Sequence, residues 1–239
     1  MNRKFQFTIG EFYHIYNRGS DKRDIFLDDW DRRRFLNLLY LCNNTESVDF
    51  RQIKDDGKSI GDKIVSVYNL PRKDALVDIG AYCLMTNHFH LLLHEKVDGG
   101  LTSFLRKVAT AYSMFFNKRH NRTGSLFEGK FKATHVDSDD YMEYLLAYIH
   151  LNPVKIIEPK WREIGPLDIA GIREHLGKYE YSSYLDYVAG ERAQAKILNI
   201  NAFPDYFLNA KEHRDFVDFW ITQEDKFEQK GEVSCQLST

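Results

Sequence analysis

Cysteine is scarce in this chain. Cys42, Cys83 and Cys235 are three in 239 residues, widely spaced and without a Cys-x-x-Cys pair. Neither a disulfide framework nor a cysteine zinc module is indicated, and reduced cytosol is the simpler setting. Long apolar runs are missing too: nowhere do roughly 18 consecutive apolar residues occur, as a membrane-spanning helix would need. The opening Met-Asn-Arg-Lys-Phe-Gln-Phe leads into no apolar stretch of signal-peptide length. A cytoplasmic protein with no membrane partner is expected. Net charge is nearly absent, at −2, and by itself singles out no partner, because a basic patch can be offset by acidic segments elsewhere. There is no internal repeat and no low-complexity tract.

The distribution of charge is more informative than its total. Between residues 101 and 135, Arg106, Lys107, Lys118, Arg119, Arg122, Lys130 and Lys132 stand against Glu128 alone, whereas residues 205–239 carry four basic and eight acidic side chains. The middle of the chain is therefore the expected polyanion surface. Phe115, Phe116, Phe127 and Phe131 are interleaved with those cations, a mixture suited to tracking a nucleic-acid backbone while stacking on its bases.

Hydrophobic periodicity and turn residues predict an ordered series of elements. An aromatic, β-rich run over residues 12–17 stops at a turn-forming Arg-Gly-Ser-Asp, and a helix over 31–42 has Asp28 or Asp29 as its cap. The polar stretch 43–61 reads as a loop or insertion, with a short strand over 64–68. Residues 77–85 and 89–94 form an antiparallel pair around Thr86-Asn87. A helix over 101–118 follows, then a basic glycine-containing connection over 121–129. The next helix starts at Asp137 or Ser138 and stops near Asn152, because proline at 153 disfavours helical backbone in the residue before it. Beyond 154 the pattern weakens, with helices expected at 185–195 and 211–227. Strands interleaved with helices favour a small antiparallel sheet with helices on one or both faces.

Two motifs carry chemistry. His88-Phe89-His90 puts two imidazoles on one face of a strand, since side chains alternate with period two, and imidazole binds divalent transition metals readily. A buried hairpin is a costly place for two imidazoles without partners. About sixty residues later, Tyr148-Ile149-His150-Leu151-Asn152-Pro153 places a phenol and an amide one helical turn apart on one face. An amide oxygen can complete a metal shell that still leaves room for a phosphate oxygen. Metal pair and phenol together point to phosphodiester chemistry. Tyr144, one turn earlier on the same face, is a rival nucleophile.

These residues fall into a familiar order. Asn17-Arg18-Gly19, the run Leu84-Met85-Thr86-Asn87-His88-Phe89-His90-Leu91, Gly124-Ser125-Leu126-Phe127-Glu128, the run Tyr148 to Lys155, and Tyr181-Ser182-Ser183-Tyr184 resemble the successive motifs of the single-tyrosine HUH transposases. The nearest branch is that of the REP-associated tyrosine transposases of bacteria. The resemblance spans residues 12–187. It implies an α+β fold, a ferredoxin-like or RRM-like antiparallel sheet with flanking helices, here with a C-terminal helical extension. The catalytic domain would cover 8–160 and the extension 161–239. It further implies His88, His90 and Asn152 as ligands of a divalent metal, Mg or Mn, and Tyr148 as nucleophile. The partner would be single-stranded or hairpin DNA of a palindromic repeat, and the chain a monomer or homodimer. Arg18, Arg106, Lys107, Arg119, Arg122, Lys130 and Lys132 are the expected DNA contacts. Thr86 stands where that branch usually has proline, Phe127 where it has tryptophan, and Ile156-Ile157-Glu158 replaces a small-residue continuation. Two rival functions use the same residues: a domesticated hairpin-binding protein that does not cut, and a metal-dependent phosphoesterase that uses water.

Overall fold

The computed structural model describes residues 6–46, 67–207 and 209–222. Seven elements form its main body: β1 (Phe12–Arg18), α1 (Asp29–Cys42), β2 (Val77–Leu84), β3 (His88–Glu95), α2 (Gly100–Arg119), β4 (Lys132–Val136) and α3 (Asp139–Leu151). The sheet order is β2-β3-β1-β4 and every pair is antiparallel. Up to β4 this is the β-α-β-β-α-β order of the ferredoxin-like arrangement that the family resemblance implies.

Local chemistry explains the boundaries. Asp28 caps α1 by accepting the Asp31 amide at 3.1 Å, and the Ser138 side chain caps α3 by accepting from Tyr141, each satisfying a donor that the first helical turn leaves open. The register of β2 on β3 shifts between Ile79 and Ala81. A Cβ on the intervening Gly80 would come within 2.7 Å of the Phe203 ring, so only glycine lets that ring pack on the bulge.

The sheet is buried on both sides, and the alternation of β1 and β3 decides what each side holds. Tyr13, Ile15, Phe89, Leu91 and Leu93 face α1 and α2 in one core, centred on Phe35, which meets Phe26, Phe89 and Tyr112 at ring distances of 5.2, 4.9 and 5.0 Å. On the other side Ala81, Cys83, Leu92 and Val136 pack against α3 in a second core. His14, Tyr16, His88 and His90 point to that second side.

The chain beyond α3 forms α4 (Val154–Ile157), α5 (Trp161–Ile164), α6 (Ile169–Leu176), α7 (Tyr184–Val188) and α8 (Ala210–Ile221). Trp161, Ile172, Leu176, Tyr184, Val217 and Trp220 share the second core with α3, so the extension backs the helix that carries Tyr148.

Several sequence expectations need correction. Strand β4 falls where only the approach to a helix was expected; it is a five-residue edge strand with a single buried position, Val136, too little apolar surface to declare itself. Helix α3 does stop at Leu151, beside Asn152 as expected, but Asn152 and Pro153 keep right-handed helical backbone and lead into α4. The helix expected over 185–195 ends at Val188. Most of the strand expected over 64–68 lies outside the described residues, and its last two, Val67 and Tyr68, are helical, with Tyr68 edge-on to Tyr40 at 5.3 Å. Residues 223–227 of the last expected helix also lie outside them.

Candidate active site

His88 and His90 lie on β3 with ring centroids 5.0 Å apart, on the face covered by α3. The ring of Tyr148 descends from α3 and meets His90 edge-on at 5.3 Å. Asn152, one turn further, is 1% exposed and its amide nitrogen donates to the Tyr148 carbonyl at 2.8 Å, leaving the amide oxygen as the group available to a ligand. Tyr144 turns toward Trp220 of α8, 5.6 Å away, and lies behind Tyr148 at 5.9 Å. The structure thus brings histidine pair and Tyr148 together and puts Tyr144 against the extension.

Hydrogen bonding fixes the His88 tautomer. The Asn87 amide nitrogen donates to the Lys22 carbonyl at 3.1 Å, which turns its oxygen toward His88 Nδ1 at 2.6 Å. That oxygen can only accept, so Nδ1 carries the proton and Nε2 of His88 holds a lone pair. His90 Nδ1 lies 2.9 Å from Nε2 of His14 on the neighbouring strand, and the two rings stack at 5.1 Å. The Nε2 of His90 is buried and makes no hydrogen bond. Burial pushes the His90 pKa well below its ordinary value, with charges at His88, His14, Lys155 and Arg162 acting in the same direction. Burial also lowers His88 to about 4, helped by the charges of Lys155 and Arg18, and His14 to about 3. All three imidazoles are neutral near pH 7, the state in which imidazole binds metal.

Among the described residues no three histidine, cysteine or carboxylate side chains converge into a metal cage. A metal here would be held by two imidazoles, with the Asn152 amide and substrate oxygens completing its shell. The buried, hydrogen-bond-free Nε2 of His90 and the lone pair on His88 Nε2 fit that use.

The sequence motifs outside the helix and hairpin prove to be braces. Arg18 pairs with Glu128, and the two strands of that corner exchange Ser20 N to Leu126 O and Glu128 N to Arg18 O, each at 2.9 Å. A Cβ on Gly19 would lie 2.2 Å from the Arg23 carbonyl, which is why glycine occupies the corner. Ser183, from the Tyr181–Tyr184 motif, accepts the Tyr82 amide and contacts His150 Nε2, both at 2.9 Å. His150 Nδ1 in turn meets His213 Nε2 at 3.0 Å. The turn of α3 that bears Tyr148 is tied in this way to β2 and to α8.

The expected DNA-contacting residues divide into two groups. Arg119 is held by Asp28 at 2.7 Å and by the fully buried Asp31 at 2.5 Å; Lys107 donates to the Asn44 carbonyl at 2.7 Å; Arg122 bonds Asn117 at 2.9 Å. These three side chains are engaged within the fold. Lys130, Lys132 and Arg106 are exposed. Lys132 faces the same side of the sheet as His90, opposite Tyr16 in register, whereas Arg106 and Lys130 rim a cleft of about 520 Å³ on the opposite side, floored by Phe35, Phe89 and Leu91. Of the four phenylalanines expected to stack on bases, Phe116 and Phe127 are core residues, 1% and 6% exposed.

With the geometry described, comparison with known proteins is direct. The model of the family described as "Transposase IS200 like" matches residues 13–152. The chain belongs to that family. Among solved structures, this IS200-like transposase is similar to one described as the REP-associated tyrosine transposase bound to a REP hairpin. The identity is 12%, over 88% of this chain and 92% of that one, with a TM-score of 0.48. No curated protein matches it. Among the described residues no helix is long and apolar enough to cross a membrane.

Sequence reasoning did not single out His14, Lys155 or Arg162. For His14 a signal existed: it shares the period-two face of its strand with Tyr16, but the partner that gives it meaning lies 76 positions away.

Proposed function

We propose that this transposase cleaves and rejoins single-stranded or hairpin DNA through a covalent 5′-phosphotyrosine at Tyr148. The observation that carries the reading is the edge-on contact of Tyr148 with His90, whose Nε2 is buried and has no hydrogen bond, with the positive charges of Lys155 and Arg162 reaching His90. A phenol, two neutral imidazoles and nearby positive charge suit a phosphodiester, which is anionic and needs its charge offset as a nucleophile approaches.

Each residue has a definable part in this chemistry. His88, His90 and Asn152 would hold Mg or Mn, which when bound supplies charge neutralisation at a non-bridging phosphate oxygen. Asn87 keeps the His88 proton on Nδ1, so its Nε2 presents a lone pair, and with His14 as acceptor from His90 Nδ1 the Nε2 of His90 would do the same. Tyr148 is 1% exposed, and its oxygen reaches a phosphate only when the groups over it give way. In the transfer step the Tyr148 oxygen forms a bond to phosphorus as the bond to the 3′ oxygen breaks, and that oxygen leaves as a 3′-hydroxyl after taking a proton. A second 3′-hydroxyl reverses the step and joins new ends, with no external energy source, because the phosphotyrosine conserves the ester. The resemblance to the REP-associated branch makes a palindromic hairpin the first substrate to try.

Denaturing electrophoresis of a labelled strand after incubation with protein and Mn tests this reading. Wild type and Tyr144→Phe should form the protein–DNA adduct and Tyr148→Phe should not. Adduct lost in Tyr144→Phe but retained in Tyr148→Phe would reassign the nucleophile. Binding without any adduct would instead establish the hairpin-binding protein, and cleavage without adduct the water-using phosphoesterase.

A further inference from the structure

The chain beyond α3 encloses a second cleft, of about 430 Å³, between α3, the end of α7 and the start of α8. Leu92, two positions beyond His90 on β3, and Leu146 of α3 give it an aliphatic side, and Tyr187, Phe203, Tyr206 and Phe207 give it an aromatic one. Two carboxylates line it and no lysine or arginine does, so its charge opposes that of a site for DNA. Asp186 is held by Arg192 at 2.6 Å and by the Tyr82 hydroxyl at 3.2 Å. Asp205 is exposed and makes no hydrogen bond or ion pair among the described residues. Tyr206 donates to Asp139 at 3.1 Å; burial raises the pKa of its phenol, and the carboxylates of Asp139 and Glu143 push the same way. The field in this part of the molecule is negative.

The cleft also holds a polar group with an unused hydrogen-bonding position. His213 is 1% exposed, stacked on Tyr187 at 4.5 Å and met edge-on by Phe207 at 4.6 Å. Its Nε2 is turned to His150 Nδ1 at 3.0 Å. The other nitrogen, Nδ1, points roughly the opposite way, is buried, and makes no hydrogen bond among the described residues. An imidazole nitrogen accepts in one tautomer and donates in the other, and the chain of bonds behind His213 accommodates the first. With the Ser183 hydroxyl donating to the Tyr82 carbonyl at 3.2 Å, His150 Nε2 donates to Ser183 and His213 Nε2 donates to His150, which leaves a lone pair on His213 Nδ1. A buried acceptor calls for a donor. Aromatic rings and carboxylates around it favour a donor that carries positive charge.

We infer that this cleft binds a small organic cation, a primary diamine of the polyamine type: one ammonium sits among the aromatic rings and donates to His213 Nδ1, and the second meets Asp205 at the exposed side. The volume lies in the range of small-molecule sites. Because His213 bonds His150, two residues from Tyr148, the bound diamine ties α8 more firmly to the helix that bears Tyr148. The inference does not depend on Tyr148 being the nucleophile, and its test needs no DNA.

Calorimetric titration of the full chain at neutral pH and low salt uses putrescine, butylamine and butanediol. Putrescine should bind saturably. Butylamine, which lacks the outer charge, should bind about fivefold more weakly, the scale of one exposed ion pair. Butanediol, similar in size and uncharged, should bind about thirtyfold more weakly than putrescine or worse. Asp205→Asn should weaken putrescine about fivefold and leave butylamine unchanged. His213→Phe keeps the ring on Tyr187 and removes the acceptor, so both amines should weaken about tenfold or more. Asp205 is exposed, so Asp205→Asn still tests the site if His213→Phe does not fold. Butanediol binding as tightly as putrescine would make this a site for neutral ligands, and unchanged putrescine affinity in Asp205→Asn would put the amine elsewhere on the surface. Either result overturns the inference, as does the absence of saturable binding at millimolar putrescine.

Discussion

Replacing His14 by phenylalanine isolates a contribution that neither motif displays. His14 Nε2 lies 2.9 Å from His90 Nδ1 and the rings are stacked with an interplanar angle of 22°. Phenylalanine preserves ring and stack but cannot accept a proton. If His14 is the acceptor of this pair, the change leaves the His90 Nδ1–H unsatisfied in a fully buried site, a cost of roughly 1–3 kcal/mol, and allows the proton to move to Nε2, the atom that would bind a metal. Orienting partners of metal-bound histidines typically account for a 10- to 100-fold difference in affinity, equivalent to roughly 1.4–2.7 kcal/mol. Calorimetric titration with Mn should therefore show His14→Phe binding about 10- to 100-fold more weakly than the parent. His14→Gln, whose amide oxygen can accept, should recover part of the loss. Should His14→Phe bind Mn as tightly as the parent while melting at a lower temperature, the His14–His90 pair would be a packing feature alone and the tautomer argument would fail.

Other substitutions follow from the same geometry. Arg119→Ala should destabilise the protein by roughly 1–3 kcal/mol in urea melts, since it strips the buried Asp31 of its guanidinium; this is less than for a fully buried pair because Arg119 is partly exposed and His120 remains. The same variant should leave the salt dependence of DNA binding unchanged, while Lys132→Ala should flatten it by about 0.7 on single strands; the reverse result would make Arg119 the DNA contact. Acid should destabilise the fold through His213, which burial lowers from 6.5 to about 3. Between those values the unfolded chain binds a proton that the folded chain refuses, so stability falls as pH drops, by about 1.4 kcal/mol per pH unit for this group. His213→Phe, stacked on Tyr187 as His213 is at 4.5 Å, should make the acid slope shallower by that amount, and an unchanged slope in pH-dependent urea melts would refute the buried-neutral assignment.

What could be read from the chain depended on how far apart the interacting residues lie. The hairpin and its His-x-His face, the caps at Asp28 and Ser138, and the helix bearing Tyr148 are encoded within a few residues of one another, and period and turn chemistry suffice for them. Strand β4 is held by pairing with β1 across more than a hundred residues, and it shows little periodicity because only Val136 of its five residues is buried. Charge per segment says nothing of partners within the fold, and Arg119 finds its carboxylates 91 and 88 positions upstream.

The same distance argument explains why the site seemed simpler in the sequence than in space. A His-x-His pair and a tyrosine declare a metal and a nucleophile, yet neither residue type controls its own state. What His90 Nδ1 meets is set by a strand pairing that aligns Tyr16 with His90 and His14 with Leu92, placing the His14 ring diagonally across from His90. The exposure of Tyr148 is set by α5, a four-residue helix with no periodic signal of its own, docked through Trp161. Both controls are tertiary and both act on residues the motifs do announce. Substitution at His14 should consequently alter metal affinity while the His-x-His pair and Tyr148 remain intact, and that separation distinguishes a site assembled by the whole fold from one specified by its motifs alone.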